Sequence, residues 1–289
     1  MDEIVSNNGS DQDAPMMNLE EIINGKSPGL YKKLPRFVTR YVSKILHIDE
    51  MNAYLKRAKG KEGLDFATVT LEEFGVTVST EGIENIPKEG RILLCSNHPL
   101  GGFDGLALFY AVAHIRENIL SPANDFLLYL KNMEKHFIPI AKIGSNKANI
   151  KSLDNAFNSD NTIIYFPAGL CSRKIKGEIM DLKWHKTFIT RSKRSKRDVI
   201  PVFIEGRNSR RFYNLARVRK FLGLKFNVEM LYLVDEAYNL KEKNIKMIFG
   251  KPIPYSTFDK RYRDNVWAEK VKAHVYSLAK NPNAVFTVE

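Results

Sequence analysis

Ile92-Leu93-Leu94-Cys95-Ser96-Asn97-His98-Pro99-Leu100-Gly101-Gly102-Phe103-Asp104-Gly105 changes character twice within one short run. Residues 92–95 are apolar without alternation, the pattern of a strand covered on both faces. Residues 96–102 hold small and polar side chains, a proline and a glycine pair, which is loop chemistry. Behind Gly105 the apolar stretch 106–115 predicts a helix. A buried strand, a loop at its carboxyl end and a following helix make up the unit of an α/β fold. The loop carries a histidine and an aspartate on either side of the glycine pair. Histidine titrates near neutral pH and is suited to taking up and returning a proton. A carboxylate on its other ring nitrogen fixes the tautomer and stabilises the imidazolium. The plainer alternative is a satisfied histidine beside an aspartate that caps the helix.

The same alternation extends in both directions. Strands are predicted at 76–80, 162–166 and 199–204, with short ones at 126–129 and 138–140. Helices are predicted at 17–23, 30–47, 49–59 and 150–157. These elements imply an α/β fold: a central mixed, mostly parallel sheet flanked by helices, with an N-terminal amphipathic helical segment. Three boundaries follow: 1–14 as a flexible tail, 15–63 as a helical, membrane-contacting segment, and 64–289 as the main domain. In such sheets the working residues gather at the carboxyl ends of strands. The loop at His98 and the turns at 167–169 and 205–208 all fall there.

With 289 residues, of which 44% are hydrophobic, the chain is long and apolar enough to bury a large core. Its 45 Lys and Arg against 33 Asp and Glu give a net charge of +12 and a pI near 9.5. That field favours an anionic partner: nucleic acid, a membrane surface or an acidic carrier. Two cysteines, at 95 and 171, form no disulfide framework and suit a reducing compartment. Residues 1–14 lack a basic n-region and an apolar h-region, so no secretory signal is expected. The longest apolar run is too short to span a bilayer, so any membrane contact is expected at the surface. The six histidines, at 47, 98, 114, 136, 185 and 274, show no metal-ligand spacing. No Walker loop, dinucleotide fingerprint or Gly-x-Ser-x-Gly elbow occurs.

Asn97-His98-Pro99 with Asp104 resembles the first block of the glycerolipid acyltransferases related to bacterial lysophosphatidic acid acyltransferase. Ile138-Pro139-Ile140-Ala141-Lys142 through Gly144 is similar to the second block. Tyr165-Phe166-Pro167-Ala168-Gly169 resembles the third, and Val199-Ile200-Pro201-Val202 the fourth. The likeness covers about residues 75–250, and the fuller string Asn-His-Pro-Leu-Gly-Gly-x-Asp-Gly is similar to the branch containing hemolysin-like proteins and acyltransferases of amino-acid lipids. There are two departures. Pro99 to Phe103 put one more residue between histidine and aspartate than the family uses, which Gly101-Gly102 is placed to absorb. Ala168 replaces a glutamate, and Cys171 stands where an arginine often meets the acceptor's phosphate; Arg173, two residues on, is the candidate replacement.

The resemblance implies an acyltransferase domain over 64–289 in which His98 and Asp104 are catalytic. His98 takes the proton from an acceptor hydroxyl attacking an acyl thioester, and Asp104 orients it. Asn97, Gly101, Gly102, Phe166, Pro167, Ala168, Gly169 and Arg173 are the implied substrate contacts, with backbone amides of 167–169 as oxyanion donors. Transfer is expected to be direct, without an acyl-enzyme at Cys171. No bound cofactor or metal is implied; the co-substrate is a thioester of acyl carrier protein or coenzyme A. The altered third block favours a lyso-ornithine or lyso-glycine lipid over lysophosphatidic acid, the alternative acceptor. Lys32, Lys33, Arg36, Arg40, Lys44, Arg210 and Arg211 are the expected contacts to an anionic membrane or carrier. The expected location is cytoplasmic, peripheral on the inner face of the cell membrane. A basic nucleic-acid-binding protein using 191–225 is the competing class, but no RRM, helix-turn-helix or zinc-finger pattern is present, and nucleic acid is not the expected partner. A catalytically silent membrane-binding relative is the third reading.

Overall fold

The computed structural model describes residues 17–25, 28–124, 126–140, 146–223, 227–240 and 243–288. The expected tail at 1–14 lies outside them, as do Ala141, Lys142 and Gly144 of the second block and Lys225 of the basic run. The strands are β1 (Thr77–Glu81), β2 (Ile92–Ser96), β3 (Ile119–Ala123), β4 (Phe137–Pro139), β5 (Thr162–Tyr165), β6 (Arg173–Ile175), β7 (Glu178–Met180), β8 (Asp198–Ile204) and β9 (Asn244–Phe249). The helices are α1 (Leu19–Asn24), α2 (Leu30–Lys33), α3 (Arg36–Ile45), α4 (Ile48–Arg57), α5 (Gly63–Glu73), α6 (Gly102–Ala113), α7 (Asn146–Asn158), α8 (Thr187–Ser195), α9 (Arg210–Phe221), α10 (Leu233–Tyr238) and α11 (Asp264–Leu278).

Seven strands form one sheet in the order β1-β9-β8-β2-β5-β3-β4. Every pairing is parallel except β8 with β9, so the sheet is mixed and mostly parallel, as expected. The all-apolar strand β2 sits at its centre between β8 and β5, with every residue buried. On one face Leu94, Ile164, Ile200 and Val202 pack with Phe103, Ala107 and Leu108 of α6. On the other, Leu93, Ile163 and Val199 pack with Trp184, Phe188, Trp267 and Val271. The N-terminal helices belong to the first of these cores, through Ile22, Leu46, Tyr54 and Leu55.

Two expected elements differ. The helix at 30–47 is broken: Leu34 is extended and α3 starts after Pro35. Proline has no N–H to continue a helix, and its ring drives the preceding residue out of the helical region. Residues 126–129 are not a strand but lead into a 3-10 turn at Leu127–Tyr129. Asn124 Oδ1 captures the amides of Phe126 and Leu127 at 3.0 and 3.2 Å, which turns the chain.

The basic run at 191–197 is largely absorbed by the fold. Arg191 pairs with Asp154 and Lys193 with Asp264. Arg197 is fully buried and donates to the carbonyls of Ile92, Ala156, Phe157, Ser159 and Asn161. Burial pushes its pKa down to about 10. It ties the start of β2 to the end of α7 and is not a free cation for a polyanion.

Candidate active site

The three turns singled out by strand position meet, because β8, β2 and β5 are adjacent and parallel. His98 leaves the end of β2. Its Nδ1 lies 3.0 Å from Oδ2 of Asp104, in close contact but too bent for a well-aligned hydrogen bond. Asp104 is completely buried and enters from the first turn of α6. The same Oδ2 accepts the backbone N–H groups of Leu100 at 2.8 Å and Gly101 at 3.0 Å. The aspartate therefore both caps the helix and faces the histidine: the two readings of the sequence are one arrangement. Burial raises the Asp104 pKa, against the opposing pull of His98 and of the two amides.

Capping by Asp104 starts α6 at Gly102, ahead of the expected 106. Gly101 carries the turn, with φ +81° and ψ −136°. A β-carbon there would meet Leu233 at 3.0 Å and Cys171 Sγ at 3.3 Å. Glycine is required both for the dihedral angles and for the space. Of the glycine pair, Gly101 makes the turn between His98 and Asp104.

The loop is held by partners distant in sequence. Asn97 Nδ2 donates to Ile204 O at 2.8 Å and its Oδ1 accepts from Ile204 N at 2.7 Å, so its amide prolongs the β2–β8 ladder. Asn97, expected at the substrate, is buried and spends its side chain on this clamp. Asn208 Nδ2 donates to Pro99 O at 3.1 Å. Ser172 N–H donates to His98 O at 2.7 Å. The buried Asp181 accepts on Oδ1 from His98 N–H at 3.2 Å and from Ser172 Oγ at 2.6 Å, and on Oδ2 from Trp184 Nε1 at 2.8 Å. Asp181 and Trp184 stand three residues apart, but no local pattern links either to the His98 peptide.

In the turn after β5, Phe166 stacks on the His98 imidazole with ring centroids 4.2 Å apart. Pro167 and Ala168 are buried, Gly169 is exposed, and Gly169 N–H donates to Phe166 O at 3.0 Å. Cys171 is fully buried, and burial pushes its thiol up to about 12. A thiol that stays protonated is a poor nucleophile, which removes the case for a covalent route. Arg173 is nearly buried, with Nη2 2.9 Å from Glu229 Oε1. Gly102 is exposed at the start of α6. Lys32, Lys33, Arg36, Arg40, Lys44, Arg210 and Arg211 are all exposed, on α2, α3 and α9.

A cavity of about 560 Å³ lies between the β6–β7 hairpin and α11, lined by Ile175, Met180, Asp181, Leu182 and Val266 among others. It reaches Asp181 but is not lined by the His98 ring. Among the described residues no cluster of three or more His, Cys, Asp or Glu side chains suits a metal, and no helix is long and apolar enough to cross a membrane.

A family model described as Acyltransferase matches residues 21–284. Two curated relatives, from Bacteroides thetaiotaomicron and Phocaeicola vulgatus, are each described as lyso-glycine lipid O-acyltransferase. Each is 46% identical over 265 residues, covering 91% of this chain and 97% and 95% of their own lengths. A crystal structure of a 1-acyl-sn-glycerophosphate acyltransferase from Thermotoga maritima aligns with a TM-score of 0.47 at 17% identity, covering 84% of this chain and 89% of that one.

Proposed function

The chain belongs to the acyltransferase family, and from that premise we propose that it transfers a fatty acyl group from a thioester to the free hydroxyl of a lyso-aminolipid, with a lyso-glycine lipid as the favoured acceptor. The observation that carries the reading is the His98–Asp104 contact at the carboxyl end of a central strand. Nδ1 faces the aspartate, which leaves Nε2 as the base. The acceptor O–H bond breaks, its proton passes to Nε2, and the oxygen bonds to the thioester carbonyl carbon. The tetrahedral oxyanion collapses with loss of the C–S bond, and the imidazolium returns its proton to the departing thiolate. Asp104 offsets the imidazolium charge. Pro167 has no N–H and Gly169 N–H is held by Phe166 O, so the oxyanion donor expected in this turn narrows to Ala168. The donor is acyl carrier protein or coenzyme A carrying the acyl group.

The lysolipid is reached from an anionic membrane on the inner face of the cell. Phe37 is 73% and Tyr41 47% exposed on α3, and Phe221 is 89% exposed at the end of α9. Tyr41 and Arg211 meet over Tyr232, with the two tyrosine hydroxyls 2.5 Å apart, which sets the two helices side by side. Exposed aromatics among exposed lysines and arginines favour an interfacial position.

The test is transfer of a labelled acyl group to lyso-glycine lipid by purified protein and by His98→Ala. The variant is expected to fold and to lose transfer; full turnover in a folded His98→Ala protein would remove the assigned base.

A further inference from the structure

The cavity of about 560 Å³ beside α11 takes no part in the reaction described above, yet it shares a wall with the frame that holds His98. Ile175 and Met180 of the β6–β7 hairpin line it together with Leu182 and Val266. Leu182 is 39% and Val266 37% exposed, so two large aliphatic side chains meet solvent at the same opening. Lys183 and Glu269 are exposed at the rim, and Lys272 is part of the lining.

A space of this volume is sized for one small ligand. Its aliphatic walls favour an apolar chain, which displaces water from them. Its charges favour an anionic end. The Asp181 carboxylate is committed to His98, Ser172 and Trp184, so Lys183 and Lys272 are set against Glu269 alone. The balance is one positive charge, which matches a monoanion such as a carboxylate.

Lys272 links this space to the catalytic loop. Its Nζ donates to the carbonyls of Asp181 at 2.8 Å and Leu182 at 2.9 Å. Those bonds hold the peptide from which Asp181 reaches the His98 N–H at 3.2 Å. An ammonium has three donors, and two are used here among the described residues, which leaves one for a ligand. A carboxylate is a stronger acceptor than a peptide carbonyl and draws the ammonium toward itself. The brace beneath His98 then loosens, and a displaced general base slows the chemical step. We propose that the cavity is a binding site for a free fatty acid, with the chain between Met180, Leu182 and Val266 and the carboxylate on Lys272 and Lys183, and that occupancy lowers turnover by relaxing the Asp181 brace. The binding stands apart from the lyso-aminolipid reading; only the kinetic arm of the test rests on it.

The two tryptophans of the chain serve as reporters. Trp184 and Trp267 are both fully buried, and each adjoins a lining residue in sequence, Lys183 and Val266. A bromine on a bound chain is therefore expected to quench them. The full chain is titrated with octanoate, decanoate and dodecanoate brominated at the chain end. Saturable quenching is expected, with Kd falling about two- to fourfold per added methylene, and about tenfold weaker binding of the corresponding bromo-alcohol. Val266→Glu places a negative charge on the wall and in the first turn of α11, where it suits the helix end. It is expected to fold, to keep basal transfer and to weaken fatty-acid binding by about tenfold or more. Glu269→Lys, at an exposed position, is expected to tighten binding several-fold, and its direction decides the matter if Val266→Glu does not fold. In transfer assays with lyso-glycine lipid, dodecanoate is expected to lower kcat about three- to tenfold with KM nearly unchanged, and Val266→Glu to be insensitive to it. Quenching that does not saturate, or is the same in wild type and both variants, overturns the site. Saturable binding with kcat unchanged, or with only KM raised, overturns the link through Lys272. A wild-type protein that does not acylate lyso-glycine lipid removes the acceptor reading, and the quenching still decides the site.

Discussion

Asp104 and Asp181 are both completely buried, and both touch His98, but at opposite ends of the residue. Asp104 faces the imidazole and is rooted in the helix that the histidine loop leads into. Asp181 comes from far along the chain and accepts the backbone N–H of His98. One carboxylate acts on the group that moves the proton; the other fixes where that group stands. Their surroundings differ accordingly. Asp104 satisfies Oδ2 with two amides and faces the imidazole, while its Oδ1 is buried without a hydrogen bond. Asp181 bonds on both oxygens, and its own peptide is held by the Tyr276 hydroxyl and Lys272 of α11. A partly satisfied buried charge is a functional investment at the expense of stability, and a fully satisfied one is a brace.

The sharpest break between the two is Asp104→Asn. Its kcat is expected to fall by about a thousandfold to ten-thousandfold, as for an orienting aspartate replaced by an amide. Its thermal stability should not fall. Folding raises the Asp104 pKa, so the protonated form fits the fold freely below the ordinary carboxylate range. The penalty appears as pH climbs through the raised value. The Tm advantage of the variant is therefore expected to grow as pH rises out of the ordinary carboxylate range and to level off above the raised value; a Tm below wild type at pH 8 contradicts the contrast. Asp181→Asn is expected to do the reverse: a lower Tm, by several degrees, and a kcat reduced about 10- to 100-fold through displacement of the loop, with KM nearly unchanged. Steady-state kinetics beside melting curves separate the two patterns. Trp184→Phe removes one donor to Asp181 and keeps an aromatic ring. It should lose about 1–3 kcal/mol in denaturant titrations and only a few-fold in kcat. Cys171→Ala sets the lower bound: a buried ionisable group beside the site with no part in the chemistry. It is expected to keep kcat within about twofold and to lose about 1 kcal/mol. A large kcat loss there would reopen the covalent route.

The central strands were legible because β2, β5 and β8 are unbroken apolar runs, which only a doubly covered strand needs. Strands β3 and β9 and the β6–β7 hairpin were missed. Ile119–Ala123 contains Ser121 and Pro122 and has no clean period, whereas Asn244–Phe249 alternates polar and apolar residues through Met247, a strand signal too short to stand out. The apolar spacing runs on through Pro35, so periodicity alone does not show the break there. At the site, His98 and Asp104 stood out because one short loop carries both. Asn97 and Arg173 were expected at the substrate, but the amide of Asn97 is committed to Ile204, and Arg173 is already paired with a glutamate that no local pattern announced. The basic run at 191–197 looked like a surface patch; Arg191 and Arg197 are drawn inward by a carboxylate and by carbonyls contributed by other elements, while Arg194 stays exposed.

The order of residues alone determined the α/β alternation, the strand ends where the working residues gather and the histidine–aspartate loop, since hydrophobic period, turn chemistry and short-range spacing are local properties of a chain. Only the tertiary structure decided which side chains close around that loop. The bracing by Asp181, the clamp of Asn97 on Ile204 and the pairing of Glu229 with Arg173 each join residues that the sheet order brings together across long stretches of sequence, and no short-range pattern encodes such meetings.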